Sequence, residues 1–349
     1  MPKCRGGWFL LGMVLLVGLW GCQVPAQTAS WPSPTSEPTQ VAMPTPPVAP
    51  SLSPIAAPPI VPSVNGDRLF QRVVDLSFER STPEQRDQAR TYLAQVLAQA
   101  GWQPEAQSFS GGVNLVAQRP GTDPTAGTLL LVAHYDTVPL SPGADDNASA
   151  VAAVLEVAEL LGPIPTVRSL AIALFDQEEV GLQGSLAFTQ DADNRANLVG
   201  VVNLEMLGYA CDEPGCQTYP SGLPLQPSSD RGNFIGVVGD REHLPLLQAF
   251  QVSPDPADRL PAVLTVPIPF KGLLTPDVLR SDHAPFWAHN IGAVMVGDTA
   301  NFRNPHYHQP SDRPETLDRR FLAGATQRIV NTLLCLLESR ASLATPAQT

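Results

Sequence analysis

Leu129-Leu130-Leu131-Val132-Ala133 breaks into His134-Tyr135-Asp136, and a loop ending Gly143-Ala144-Asp145-Asp146-Asn147 leads into an apolar-periodic segment, Ala148 to Leu161. Val151, Val154, Leu155, Val157, Ala158 and Leu161 share one face of that segment. The pattern predicts a buried strand, a polar loop and an amphipathic helix. Such a βα unit sets its loop at the carboxyl end of a strand, where open α/β sheets place their ligands. The loop holds one histidine and three carboxylates, a grouping that a hard or borderline cation accounts for.

Working outward, Ser169 to Phe175 is a second apolar strand and ends in Asp176-Gln177-Glu178-Glu179. Gly200 to Leu204 is a third and ends in Glu205. Gln103 to Phe109, Val113 to Gln118, Phe234 to Val238 and Ala293 to Val296 read as further strands. Helices are expected over Asp67 to Phe78, Thr82 to Ala100, Ser185 to Thr189, Arg241 to Phe250 and Glu315 to Leu337. Ser81-Thr82-Pro83-Glu84 supplies a cap and a first-turn proline for the second of these. Residues 253 to 280 are Pro-rich and read as an irregular surface excursion near the site. Alternating strands and helices predict an α/β fold: a single domain over 65–340, with a largely parallel mixed central sheet sandwiched by helices. There is no internal repeat.

The 349-residue chain carries a formal charge of −12, and its only lysines are Lys3 and Lys271. Nucleic-acid binding rests on Lys and Arg neutralising phosphates, so that class of partner is set aside. Residues 1–21 read as an export signal: Lys3 and Arg5 precede an apolar stretch, Trp8 to Leu19, too short to span a bilayer comfortably. Leu19-Trp20-Gly21-Cys22 resembles the bacterial lipoprotein cleavage box, with Cys22 as lipid acceptor; Trp20 is bulky for that box, and an ordinary signal or an uncleaved anchor is the competing reading. Residues 22–64 are rich in Pro, Ser, Thr and Ala without a hydrophobic period, which predicts a disordered tether. Residues 341–349 read as a flexible tail. The chain is thus expected to be exported and membrane-anchored, periplasmic or at the cell surface, and otherwise secreted.

Cys211 and Cys216 flank Asp-Glu-Pro-Gly, a turn that can bring the two sulfurs together, and export permits the disulfide. Cys335 falls on the apolar face of the last helix and reads as a small buried hydrophobe.

Six motifs now resemble the zinc aminopeptidases of peptidase family M28, whose members include glutaminyl-peptide cyclotransferases. They are His134-Tyr135-Asp136, Gly143 through Ser149, Phe175 through Ser185, Asn203 through Tyr209, Ser281-Asp282-His283, and Tyr307-His308-Gln309-Pro310-Ser311-Asp312, in family order. The resemblance covers residues 65 to 340 and implies a zinc exopeptidase-like fold. It implies that His134, Asp146 and Glu205 hold one zinc ion and that Asp146, Glu179 and His308 hold the other, with Asp146 bridging. Glu205 stands where many members have Asp, so one zinc ion is the alternative to two.

The same resemblance makes Glu178 the general base for water attack on a peptide carbonyl. Asp136, two residues from His134 on the same side of the strand, is placed to accept the second imidazole N–H and fix the tautomer. Tyr209, Asp282 and His283 match the pattern and are candidates for substrate contact; packing competes for all three, and helix capping for the Asp282-His283 pair. His306 reads as a loop residue, and His243 and His289 have no assigned role.

A lone histidine on an apolar strand is usually a satisfied core group. Asp136 and the Asp145-Asp146 pair favour the ligand reading, because buried carboxylates without a cation are costly. Glu178-Glu179 alone could be a solvated turn. The resulting expectation is an aminopeptidase acting on extracytoplasmic peptides. The rivals are a glutaminyl cyclase with one zinc, and a non-catalytic binding module that has kept the fold. Oligomeric state and side-chain preference at the cleaved position are not legible.

Overall fold

The computed structural model describes residues 61–225, 227, 229–252 and 260–346. The signal, Cys22 and most of the tether lie outside the described residues.

The sheet is laid down in chain order by β1 (Glu105–Phe109), β2 (Gly112–Arg119), β3 (Thr128–His134), β4 (Ser169–Phe175), β5 (Leu198–Glu205), β6 (Phe234–Asp240), β7 (Ala262–Ile268) and β8 (Ala293–Gly297). The spatial order is β1-β2-β4-β3-β5-β8-β6-β7. The central four, β4-β3-β5-β8, run parallel. β1 and β2 form an antiparallel hairpin on one side, with β2 also antiparallel to β4. On the other side β6 runs antiparallel to β8 and parallel to β7. The carboxyl ends of β3, β4, β5 and β8 therefore share one rim, and β6 delivers its amino end, Phe234, to that rim.

Helices cover both faces. They are α1 (Gly66–Leu76), α2 (Pro83–Gln99), α3 (Ala150–Leu161), α4 (Gln183–Gln190), α5 (Ala192–Arg195), α6 (Leu244–Val252), α7 (Ala284–Ala288) and α8 (Arg319–Glu338). β3 shows why its sequence is apolar without interruption. Leu129, Leu131 and Ala133 enter one core with α1, α2, α3 and α8, while Leu130 and Val132 enter a second with Phe175, Phe286 and Trp287. Successive side chains point to opposite faces, so a strand covered twice needs apolar residues at every position. α2 starts as its sequence predicts. Thr82 Oγ1 accepts the Gln85 N–H, the Gln85 side chain accepts the Thr82 N–H, and Pro83 takes the first helical position.

Three expectations need correction. Residues 253 to 280 are not wholly irregular: Ala262–Ile268 is β7, an edge strand that tolerates Pro267 because its outer side needs no ladder partner. The last helix begins at Arg319 with Asp318 as its cap, its side chain accepting the Phe321 N–H, rather than at Glu315. Cys335 is exposed rather than buried, so the apolar face of α8 passes it by. Cys211 and Cys216 are joined as a disulfide, with Cα atoms 6.3 Å apart.

Candidate metal centre

The shared rim collects the acidic side chains. β3 ends on His134 and β5 on Glu205, while Glu178 and Glu179 follow β4 in a turn where Gln177 takes a positive φ of 58°. Asp146 comes from an irregular turn, Ala144–Ser149, between β3 and α3, where Asp146 and Asn147 leave helical geometry and their peptide bond is cis. Gly143 opens this turn in the left-handed region. A Cβ there would meet Asp146 O and Thr137 Cγ2, both at 2.4 Å, so the close approach demands glycine. His308 enters from the loop after β8, itself at a φ of 59°.

Asp146 sits between two imidazoles. Its Oδ1 lies 3.3 Å from His134 Nε2 and its Oδ2 lies 3.1 Å from His308 Nε2. Glu205 Oε1 is 3.5 Å from the same nitrogen of His134, and Glu179 Oε2 is 3.0 Å from that of His308. His134, Asp146 and Glu205 thus form one donor group, and Asp146, Glu179 and His308 another, while Glu178 lies near His134 and Glu179.

Donor chemistry and spacing fit zinc. Bonds of about 2.0–2.1 Å in a tetrahedral site put neighbouring donors roughly 3.3 Å apart. The observed separations of 3.0–3.5 Å match that edge. His308 Nε2 is buried with no hydrogen bond of acceptable geometry despite two carboxylate oxygens beside it, as expected of a nitrogen whose lone pair serves an ion.

A second layer of contacts holds the donors. Asp136 accepts the backbone N–H groups of Glu178 and Glu179 at 3.1 and 3.2 Å, and its Oδ1 stands 3.4 Å from His134 Nδ1. It therefore ties the end of β3 to the turn after β4. Asp312 accepts the N–H groups of Asp145 and Asp146 at 2.9 and 3.0 Å. Ser281 Oγ donates to Glu205 Oε2 and accepts from Asn203 Nδ2 at 2.7 Å. Asp145 faces away from the cluster: it accepts the Gly208 N–H at 2.8 Å and Asn304 Nδ2 at 2.7 Å. With Asn147 and Ser149, which accept the N–H groups of Met206 and Leu207, it fixes the chain after Glu205.

Beneath the loop lies Arg80, fully buried. Its Nε donates to Tyr135 O at 2.7 Å, its Nη1 to Phe78 O and Pro142 O at 2.9 and 3.0 Å, and its Nη2 to Gly143 O at 3.1 Å. Burial draws its pKa down to about 10, against the pull of Asp312, Asp136, Asp146 and Glu179.

Crowding shows in the carboxylates. Burial lifts Glu179 to about 7, with the charge of Asp146 adding. Burial also holds Glu178 well above the usual carboxylate range, despite the nearby His134. His308 is raised to about 10: burial opposes the shift, and the contacts with Asp146 and Glu179 outweigh it.

A cavity opens beside the cluster. Asp146, Glu178, Glu179 and Glu205 form its acidic end, and Leu223, Val238, Leu264, Val266, Val278 and Met295 an apolar wall. Tyr209, Asp282 and His283 are not among its lining residues. Tyr209 donates its N–H to Asp298 and packs edge-on against His306. His283 is buried against Trp287, bonds Val278 O at 2.7 Å, and makes no side-chain cap at the start of α7. Asp282 is buried below the cluster, where burial lifts it to about 7 against the pull of His134 and Ser185. Sequence reasoning left Asp312, Ser281, Asn304 and Arg80 without roles. Asp312 and Ser281 lie inside quoted motifs, but nothing in those motifs says what they touch.

The profile of Peptidase family M28 matches residues 114–232. Protein YfbL of Escherichia coli K12, described as uncharacterized, is 30% identical over 260 residues, which are 69% of this chain and 78% of that one. This chain belongs to peptidase family M28. A further relative, LpqL of Mycobacterium tuberculosis, named as a probable lipoprotein aminopeptidase, is 33% identical over 61% of this chain, which spans only 43% of LpqL. Among solved structures, the aminopeptidase of Aneurinibacillus sp. AM-1 superposes with a TM-score of 0.60 at 13% identity, covering 82% of this chain and 97% of that one. Porphyromonas gingivalis glutaminyl cyclase superposes at 0.57 with 17% identity, covering 77% and 98%. These likenesses establish the fold: a single mixed α/β sheet with helices, shared with these neighbours.

Proposed function

We propose that this chain is a zinc-dependent aminopeptidase that removes amino-terminal residues from peptides outside the cytoplasm. The observation that carries the reading is the seat of Asp146, whose two oxygens face different imidazoles. That is what a carboxylate shared by two ions requires. His134, Asp146 and Glu205 would hold one zinc ion, and Asp146, Glu179 and His308 the other. Zinc bound there supplies a Lewis acid and acidifies a coordinated water to a pKa of about 7.

The chain's own residues do the remaining work. Glu178, at the acidic end of the cavity and held by Asp136 through its backbone, takes a proton at its carboxylate and returns it to the departing amine. The apolar wall over β6, β7 and β8 excludes water and receives an apolar amino-terminal side chain. Cys22 and the export signal, together with the name of the relative LpqL, support anchoring by lipid at a membrane, with the tether carrying the domain. Cys22→Ser is then expected to release the protein from the membrane fraction.

The test is metal analysis of the purified chain together with a panel of aminoacyl substrates and an amino-terminal glutamine peptide. Two zinc ions per chain and release of free amino acids are expected. One zinc ion with cyclisation of the glutamine peptide would turn the reading to the cyclase, and absence of both metal and turnover would leave a binding module.

A further inference from the structure

Among the described residues that line the cavity, Arg280 carries the one positive side chain, opposed to Asp146, Glu178, Glu179, Glu205 and Asp277. Its Nη1 donates to Asn301 Oδ1 at 3.0 Å and its Nη2 to Tyr307 Oη at 2.9 Å. Both partners are neutral, so the guanidinium charge is not cancelled by them, and an Arg side chain with five N–H donors has more to give. The group is exposed at the cavity and stands 5.7 Å from the centre of the Tyr307 ring. That ring stacks on His308 at 3.8 Å, and the next residue, Ser281, donates to Glu205. Arg280 is thus one residue removed from each arm of the acidic cluster, and its position is fixed by the parts that fix the donors.

Resting on the aminopeptidase reading, we propose that Arg280 is a carboxylate-binding subsite, which suits the cavity to short peptides carrying a free carboxylate just beyond the cleaved bond. Elsewhere among the described lining residues a ligand carboxylate meets like charge, an apolar wall or neutral polar groups such as Thr218, Thr299 and Asn301, none of which carries an opposite charge. At Arg280 it meets a planar fork of matching geometry, already held in place. The carboxylate could come from the carboxyl terminus of a dipeptide or from an acidic side chain in the second position, and the two sources are separable.

The zinc-loaded full chain is compared on leucyl-alanine and leucyl-alanine amide, and on leucyl-glutamate amide and leucyl-glutamine amide. For the terminal source, amidation of leucyl-alanine is expected to lower kcat/KM about tenfold or more, chiefly through KM. For the side-chain source, leucyl-glutamate amide is preferred over leucyl-glutamine amide by a similar factor. In Arg280→Gln the discriminating pair should converge to within about twofold, and Arg280→Lys should restore part of the difference. Equal rates within both pairs for the wild-type chain overturn the proposal. If no compound is hydrolysed, the aminopeptidase reading fails instead. Calorimetric binding of leucyl-alanine against its amide, and of the glutamate against the glutamine compound, then decides the subsite: a preference lost in Arg280→Gln supports it, and equal affinities overturn it.

Discussion

Asp312 accepts the backbone N–H of Asp146 at 3.0 Å across 166 residues of sequence, and its other oxygen accepts that of Asp145. The backbone bearing the carboxylate proposed to bridge two ions is therefore held by a second carboxylate, one that belongs to neither donor group. In Asp312→Asn one acceptor oxygen remains, while the amide NH2 turns toward the other backbone donor. Metal affinity is expected to fall about 10- to 100-fold with the fold retained. Competition with a chelator of known affinity measures this, and unchanged affinity would remove Asp312 from the support of the centre.

Glu178→Gln is expected to cut turnover about 10²- to 10⁴-fold while zinc content stays the same. The amide is nearly isosteric but accepts no proton. Loss of metal in this variant would mean that Glu178 and Glu179 have exchanged roles.

The metal-free chain should lose stability as pH rises from about 5.5 to 8. Glu179 titrates at about 7 when folded against a usual 4.5, so the folded state keeps a proton that the unfolded chain has released. The resulting penalty begins above about 4.5 and is complete above about 7. His308 acts in the same direction. Raised from 6.5 to about 10, its contribution is present in full below the lower value and is lost as pH passes the higher. Zinc should therefore raise the melting temperature more at pH 8 than at pH 5.5, because the donors must shed protons to bind it. A metal-free melting temperature that climbs over this range would contradict the account.

Replacing Cys211 and Cys216 together by Ser should disturb substrate affinity more than zinc retention. The bridge closes a short loop, so its contribution is on the order of 2–3 kcal/mol at best. Directly after it, Gln217 bonds Thr299 and Arg303, and Thr218 and Tyr219 line the cavity. Kinetics of the double variant decide the matter; unchanged KM would confine the bridge to a structural role.

Part of the candidate centre was legible because some of its donors sit at or just past the ends of strands. β3, β4 and β5 are largely buried runs; His134 and Glu205 close the first and last, and Glu178-Glu179 follow the second in the polar turn that begins at Asp176. The second edge of the sheet was hidden by Pro261, just before β7, and Pro267 within it, which mimic a loop although an edge strand tolerates the latter. α7 is only five residues long and too short to show a period. Contacts such as Ser281 with Glu205 or Asn304 with Asp145 were out of reach for a different reason. They join residues 76 and 159 positions apart, and a serine or asparagine in a loop has many possible partners until the fold chooses one.

Arg80 gives the centre a permanent tenant. Its guanidinium binds the carbonyls of Tyr135, Pro142 and Gly143, so the loop that presents Asp146 is gathered around a positive charge belonging to the chain itself. A chelator would strip the proposed zinc, but it cannot remove this charge. The loop should keep its shape through cycles of metal loss and reloading, and zinc then enters as a reagent fitted to a finished mould.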